Sequence, residues 1–371
     1  MSHAAAAPPR YTMIGAQVSL YSGKLRSYLL HKGIPFAERP PNPFEFAWTM
    51  WRRTQARAVP VLITPGGEWL QDTSAIIDVL ERRFPQRPVL PATPVLRCAA
   101  YLFELWGDEF WTPLAMHARW SHRENEALFV RDVGDALLAG FPRWAKNLAG
   151  RNHARLMRRL ARVVGVTPGH TEAIDRFAQV QLDALDAHFA QHRFLFGDRA
   201  SLGDYGLIGP LYAHLGRDPW PRRELIGPRP HLAAWIARMF EPAASAGGFV
   251  AGDRVPATLA PCLRSIFDEL VPFLAACAAA VARTPVVAPD ARRAIRQFGD
   301  VSYPMAGSTH RRPGLSYPVW MAQRMRDDFA AQDLAGQQAV RAWLSAEGGT
   351  GVLDLALPRV RRIGLAAGRV A

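Results

Sequence analysis

Cysteine, lysine and long apolar runs are all scarce in this 371-residue sequence. The three cysteines, Cys98, Cys262 and Cys277, form no CxxC pair, which excludes a sequence-local redox motif or zinc knuckle and fits a reducing compartment. Only Lys24, Lys32 and Lys146 are lysines, so arginine supplies nearly all the positive side of a net charge of +13. Such a bias reflects GC-rich codon usage as readily as selection for a polyanion. No RNA- or DNA-binding motif accompanies it, so no nucleic-acid partner is expected. The opening "MSHAAAAPPR" lacks a basic n-region and a sustained apolar stretch, and does not read as a signal peptide. The longest apolar run, Leu270–Ala282, contains Pro272 and is too short to span a bilayer. These absences point to a cytoplasmic protein without a membrane span.

What is present is globular: 49% hydrophobic residues with charges of both signs, and length for two domains plus an appended segment. After an Ala/Pro tail (1–10), "YTMIGAQ" is strand-like, and "SGKLRSYLLHKG" carries Leu25, Tyr28 and Leu29 at helical spacing with Gly33 as a stop. "IPFAERP" reads as a short strand and "PFEFAWTMWRR" as a ragged helix. Val61–Ile63 and Glu68–Gln71, joined by Pro65-Gly66-Gly67, read as a hairpin, and Thr73–Phe84 as a helix ended by Pro85. The order β-α-β-(α)-β-β-α is the thioredoxin-like arrangement, here over 11–85. A Pro-rich linker (86–94) follows. Helical patterns then dominate 95–251, and 252–371 is an extension too apolar in "LRSIFDELVPFLAACAAAVA" to stand exposed, so it is expected to pack on the helical domain. Within it, Val301–Trp320 suggests a hairpin, and the Gly/Val/Arg-rich end a tail.

Three stretches in this order resemble the glutathione transferase family: "VPVL" (Val59–Leu62), "LQDTSAIIDVLE" (Leu70–Glu81) and "SLGDYG" (Ser201–Gly206). The resemblance covers about 11–240 and implies an α/β thioredoxin-like domain followed by an all-α domain. It implies glutathione as co-substrate, no metal, a homodimer, and a small hydrophobic electrophile as second substrate. Pro60 would be the family's cis proline, with the Val59 backbone pairing with glutathione. Asp72 and Thr73 would receive its γ-glutamyl carboxylate, since a helix start offers unpaired N–H groups to an anion. Ser22, at the first strand-to-helix turn, takes the place of the residue that hydrogen-bonds the thiolate, with Tyr21 and Ser19 as alternatives; a helix cap is the plainer role for Ser22. Trp106, Phe110, Trp111 and His117 would line the second-substrate pocket, or else belong to the helical core. The function implied is thiolate transfer to an electrophile. The alternatives are a non-catalytic binding or scaffold protein and a pathway-specific glutathione-dependent isomerase or lyase.

Overall fold

The computed structural model describes residues 10–242 and 244–371. Its N-terminal sheet has the order β2-β1-β3-β4. β1 (Tyr11–Ile14) runs parallel to β2 (Phe36–Arg39) and antiparallel to β3 (Val61–Ile63), which pairs with β4 (Trp69–Gln71). Between β1 and β2 lies α1 (Leu20–Lys32), where Ser19 Oγ accepts from Ser22 N at the start and Gly33 ends the helix at φ 67°. That left-handed conformation costs glycine least, and it lets the Gly33 N–H close on the last-turn carbonyls. The ragged helix is a π-helical turn, Glu45–Thr49, continued by α2 (Met50–Thr54). α3 (Thr73–Arg83) closes the unit, burying Ile76, Ile77 and Leu80 against Met13, Leu25 and Leu62.

The helical part begins with α4 (Pro94–Leu105), which passes through a π-helical turn, Trp106–Phe110, into α5 (Thr112–Trp120). α6 (Glu126–Leu137) packs on α7 (Arg143–Val163). Then come α8 (Thr171–Phe189), α9 (Leu202–Pro210), the single turn α10 (Pro219–Pro221) and α11 (Pro230–Arg238). Ser201 and Asp204 form a capping box at the start of α9. Asp204 Oδ1 also accepts from Leu195 N at 3.0 Å and Trp235 Nε1 at 3.1 Å, so the box ties three segments together. α9 meets α4 backbone to backbone: a Cβ on Gly206 would lie 2.6 Å from Glu104 Cα. We therefore expect Gly206→Ala to push α4 off α9 and cost at least the ~1–3 kcal/mol typical of overpacking. Urea unfolding checks this, and a loss below about 0.5 kcal/mol would show that the crossing can yield.

In the C-terminal segment, α12 (Ala260–Ser265), a π-helical turn (Ile266–Leu270) and α13 (Val271–Ala282) form one helical run from Ala257 to Ala282. The run is longer than the apolar stretch suggests, because Pro272 falls in the first turn of α13, directly after the π turn, where its missing N–H does least damage. By length and composition it could cross a bilayer, but 61% of its most apolar window is buried inside the protein. Beyond it, β5 (Gln297–Met305) pairs with β6 (Ser308–Leu315), and α14 (Tyr317–Ala330), α15 (Leu334–Ala346) and α16 (Gly351–Asp354) follow. The expected hairpin thus spans 297–315, and Tyr317–Trp320 opens a helix instead. The expected tail is a second hairpin, β7 (Val360–Ile363) with β8 (Ala366–Arg369), which buries Val360, Ile363 and Ala367.

This segment touches both preceding domains. Arg97 pairs with Asp328 at 2.6 Å and Arg324 with Glu104 at 2.6 Å on the helical side. Toward the N-terminal domain, Arg324 pairs with Asp78 at 2.7 Å and Arg362 donates to the Gln71 side chain at 3.0 Å.

Candidate active site

A cavity of about 240 Å³ lies where the three segments meet. That is slightly below the range usual for small-molecule pockets. From the N-terminal domain its wall takes Tyr21, the Val59–Pro60 pair, Gln71, Asp72 and Thr73. The helical domain contributes Glu109, Thr112 and Val164. Arg296, Arg312, Leu315, Tyr317 and Leu365 complete it from the C-terminal segment.

Local sequence explains the first group. The Val59–Pro60 peptide is cis and stands directly before β3. Asp72 caps α3, its Oδ1 accepting from Ala75 N at 3.0 Å, and it does so at φ 81°, ψ 120°. A non-glycine residue held at positive φ is strained, and such strain persists where the surroundings fix it. Here Tyr317 Oη donates to Asp72 Oδ2 at 2.5 Å, so both carboxylate oxygens are engaged. Thr73 follows at the first turn of α3, 4% exposed.

The structure sorts the hydroxyls of the first turn. Ser22 is buried, and its Oγ accepts from Ala16 N at 3.2 Å, away from the cavity lining. Ser19 is the cap of α1, and its Oγ lies 3.5 Å from the Val59 carbonyl it faces. Tyr21 is the one that lines the cavity, its hydroxyl donating to the Asp108 carbonyl at 3.2 Å. Burial, then the nearby Glu109 and Asp108 carboxyls, raise this phenol well above its ordinary value, so it stays protonated and is a hydrogen-bond donor.

The residues expected around a second substrate are placed differently. Trp106, Phe110 and Trp111 are fully buried and stack edge-on with each other or with Phe177 in the helical core. His117 is buried too, bonded to Asp175 at 3.1 Å and Ser121 at 2.8 Å. None of the four lines the cavity. The reason is geometric: the π-helical turn at Trp106–Phe110 holds an extra residue per turn, which shifts the phase of the helix. Glu109 and Thr112 face the cavity instead. Burial, then Asp108, push the Glu109 carboxyl up to about 8, against the pull of Arg312 and Arg296.

Behind this wall runs a buried ionic network. Lys24 Nζ donates to Glu104 at 2.8 Å, Asp108 at 2.5 Å and Ser74 at 3.0 Å. Arg324 takes the other oxygen of Glu104. Burial pushes Asp108 up to about 7 against the pull of Lys24. Burial would raise Glu104 as well, but Arg324 and Lys24 outweigh it and hold that carboxyl at about 2.

A mixed four-stranded α/β unit followed by a helical domain, with a cavity at a cis-proline edge and a helix start, defines a thioredoxin-like fold joined to an all-α domain. Comparison with known proteins is specific. Residues 13–88 match the glutathione S-transferase N-terminal domain and residues 174–238 the glutathione S-transferase C-terminal domain. The chain thus carries stretches that match both glutathione S-transferase domains, in the same order, with a further C-terminal segment after them. Among curated proteins, a stringent starvation protein A homologue of Histophilus somni is 23% identical over 137 residues, 37% of this chain and 64% of that protein. The chain thus matches less than two thirds of that relative's length. A glutathione S-transferase from Methylobacterium radiotolerans, solved with glutathione sulfonate, is 22% identical, covering 66% of this chain and 99% of that one at a TM-score of 0.38. A beta-etherase from Sphingobium is 19% identical, with 62% and 94% covered at a TM-score of 0.39.

Proposed function

We propose that the protein is a glutathione-dependent transferase and that the cavity is its glutathione site. The observation that carries this reading is the meeting of the Val59–Pro60 edge, the start of α3 at Asp72 and Thr73, and the Tyr21 hydroxyl on one wall. In this arrangement the cysteinyl backbone of glutathione pairs with Val59, and its γ-glutamyl carboxylate meets Thr73 and the unpaired N–H groups of the first turn of α3. The thiolate takes the hydrogen bond that Tyr21 now gives to the Asp108 carbonyl. The sulfur then attacks an electrophilic carbon, and the leaving group departs with its electron pair. Val164, Leu315 and Leu365 supply an apolar wall for that substrate.

Thr73→Ala is expected to weaken glutathione binding more than it weakens the fold. Losing a contact to a charged carboxylate costs roughly 1.5–3 kcal/mol, about tenfold to a hundredfold in affinity. Calorimetric titration checks this; unchanged affinity would leave Thr73 as a residue of the helix start only. A second reading, glutathione binding without turnover, draws support from Ser22, which is buried off the cavity lining with its Oγ accepting from Ala16 N. Thiol conjugation assayed beside binding separates the two.

A further inference from the structure

The C-terminal segment brings two arginines to the cavity that form no ion pair among the described residues. Arg312, on β6, is 2% exposed. Its Nη2 donates to the Glu109 carbonyl at 3.2 Å, while Nε and Nη1 have no hydrogen-bond partner among the described residues. The guanidinium stacks 4.1 Å over Phe273 and 5.6 Å from the centre of Tyr303, with the His310 imidazole and the Cys277 thiol near enough to feel its charge. Such contacts compensate only part of what a buried cation loses with its water. Arg296 stands at the mouth, exposed, and its carbonyl accepts from Ser316 N at 3.1 Å, which fixes it one step from Tyr317.

We infer that Arg312 and Arg296 form an anion subsite, which selects ligands bearing a carboxylate or a similar acidic group. This deepens the proposed function and rests on it for the identity of the reaction, though not for the presence of the subsite. The facing groups favour an anion. Asp72 is the carboxylate opposite, and both its oxygens are held, by Ala75 N and Tyr317 Oη. Glu109, pushed up to about 8 mainly by burial, is protonated at neutral pH and presents a donor. Tyr21 stays neutral, and the Thr112 hydroxyl donates to the Asp108 carbonyl at 3.2 Å. At pH 7 the two arginines therefore outweigh the single carboxylate. The acidic group has two sources: the glycyl carboxylate of glutathione or an acidic electrophile.

The test uses the full chain and two matched pairs in calorimetric titration: benzoate against benzamide, and glutathione against its glycyl amide. The wild type is expected to prefer the acid of at least one pair by tenfold or more, and the pair that shows it identifies the source. Arg312→Met replaces the guanidinium over Phe273 with an uncharged side chain of similar reach and should abolish that preference. Arg296→Met, at an exposed position without a side-chain hydrogen bond or ion pair among the described residues, should reduce it about threefold. The preference should also decline above pH about 8, as Glu109 loses its proton. If neither acid is preferred by the wild type, or the preference survives both substitutions, the subsite is overturned. Should benzoate be selected while glutathione fails to bind, the subsite stands and the glutathione reading falls.

Discussion

Lys24→Met is expected to destabilise the protein by about 3–5 kcal/mol, the cost usual for breaking a buried ion pair from one side. Lys24 is fully buried and is held by Glu104, Asp108 and Ser74. With Arg324 and Asp78 added, the network contains two cations and three carboxyls and joins α1, α3, α4 and α14. A proton on Asp108 brings it to balance, which agrees with a carboxyl pushed up to about 7 by burial. The pH dependence follows. A carboxyl whose folded pKa is raised favours the folded state at low pH, and that advantage is lost as pH rises through the folded value. Asp108 thus costs stability between its unfolded value and about pH 7 in the wild type. Without Lys24, Asp108 and Glu104 both lose a partner that lowers them, so the deficit should be larger at pH 8 than at pH 5.5. Urea unfolding at the two pH values reads both quantities. A loss under about 1 kcal/mol with no pH dependence would mean that the network does not hold these helices together.

Tyr21→Phe is expected to raise the pKa of bound glutathione by about one to two units and to lower turnover at neutral pH. The hydroxyl gives a hydrogen bond to a charged acceptor, worth roughly 1.5–3 kcal/mol, and gains little from the neutral thiol. The energy therefore appears as an ionisation shift. Ultraviolet titration of the thiolate in wild type and variant measures it. The phenol's own ionisation is raised well above its ordinary value by burial, so it does not compete in the pH range of interest. Coincident titration curves with full activity would remove Tyr21 from the chemistry and return attention to Ser19.

The parts of the fold and site that sequence makes legible are those set by local chemistry. Gly33 as a helix stop, Asp72 before Thr73 at a helix start, and the Ser201–Asp204 box each depend on residues within three or four positions. The hairpin β3–β4 is legible for the same reason, since Pro65-Gly66-Gly67 supplies the turn. Helix phase is harder. Tyr21 and Ser22 are adjacent, so they point about 100° apart on α1, and only the packed structure says which faces the cavity. The π-helical turn at Trp106–Phe110 has no periodic signature, and it moves Glu109 and Thr112 to the wall while Trp106, Phe110 and Trp111 enter the core. The remaining wall is long-range: Tyr317 reaches Asp72 across 245 positions, and nothing in either neighbourhood announces the contact. The β7–β8 hairpin was hidden by composition, because Gly364, Ala366, Ala367 and Gly368 carry little of the alternation that marks a strand.

The most direct measurement is a crystal structure of the full chain at saturating glutathione. The tripeptide is expected in the cavity, its cysteinyl backbone paired with Val59, its γ-glutamyl carboxylate at Thr73, and its sulfur within hydrogen-bond distance of the Tyr21 hydroxyl. An empty cavity beneath Tyr317, or glutathione bound with its sulfur away from Tyr21, would contradict it.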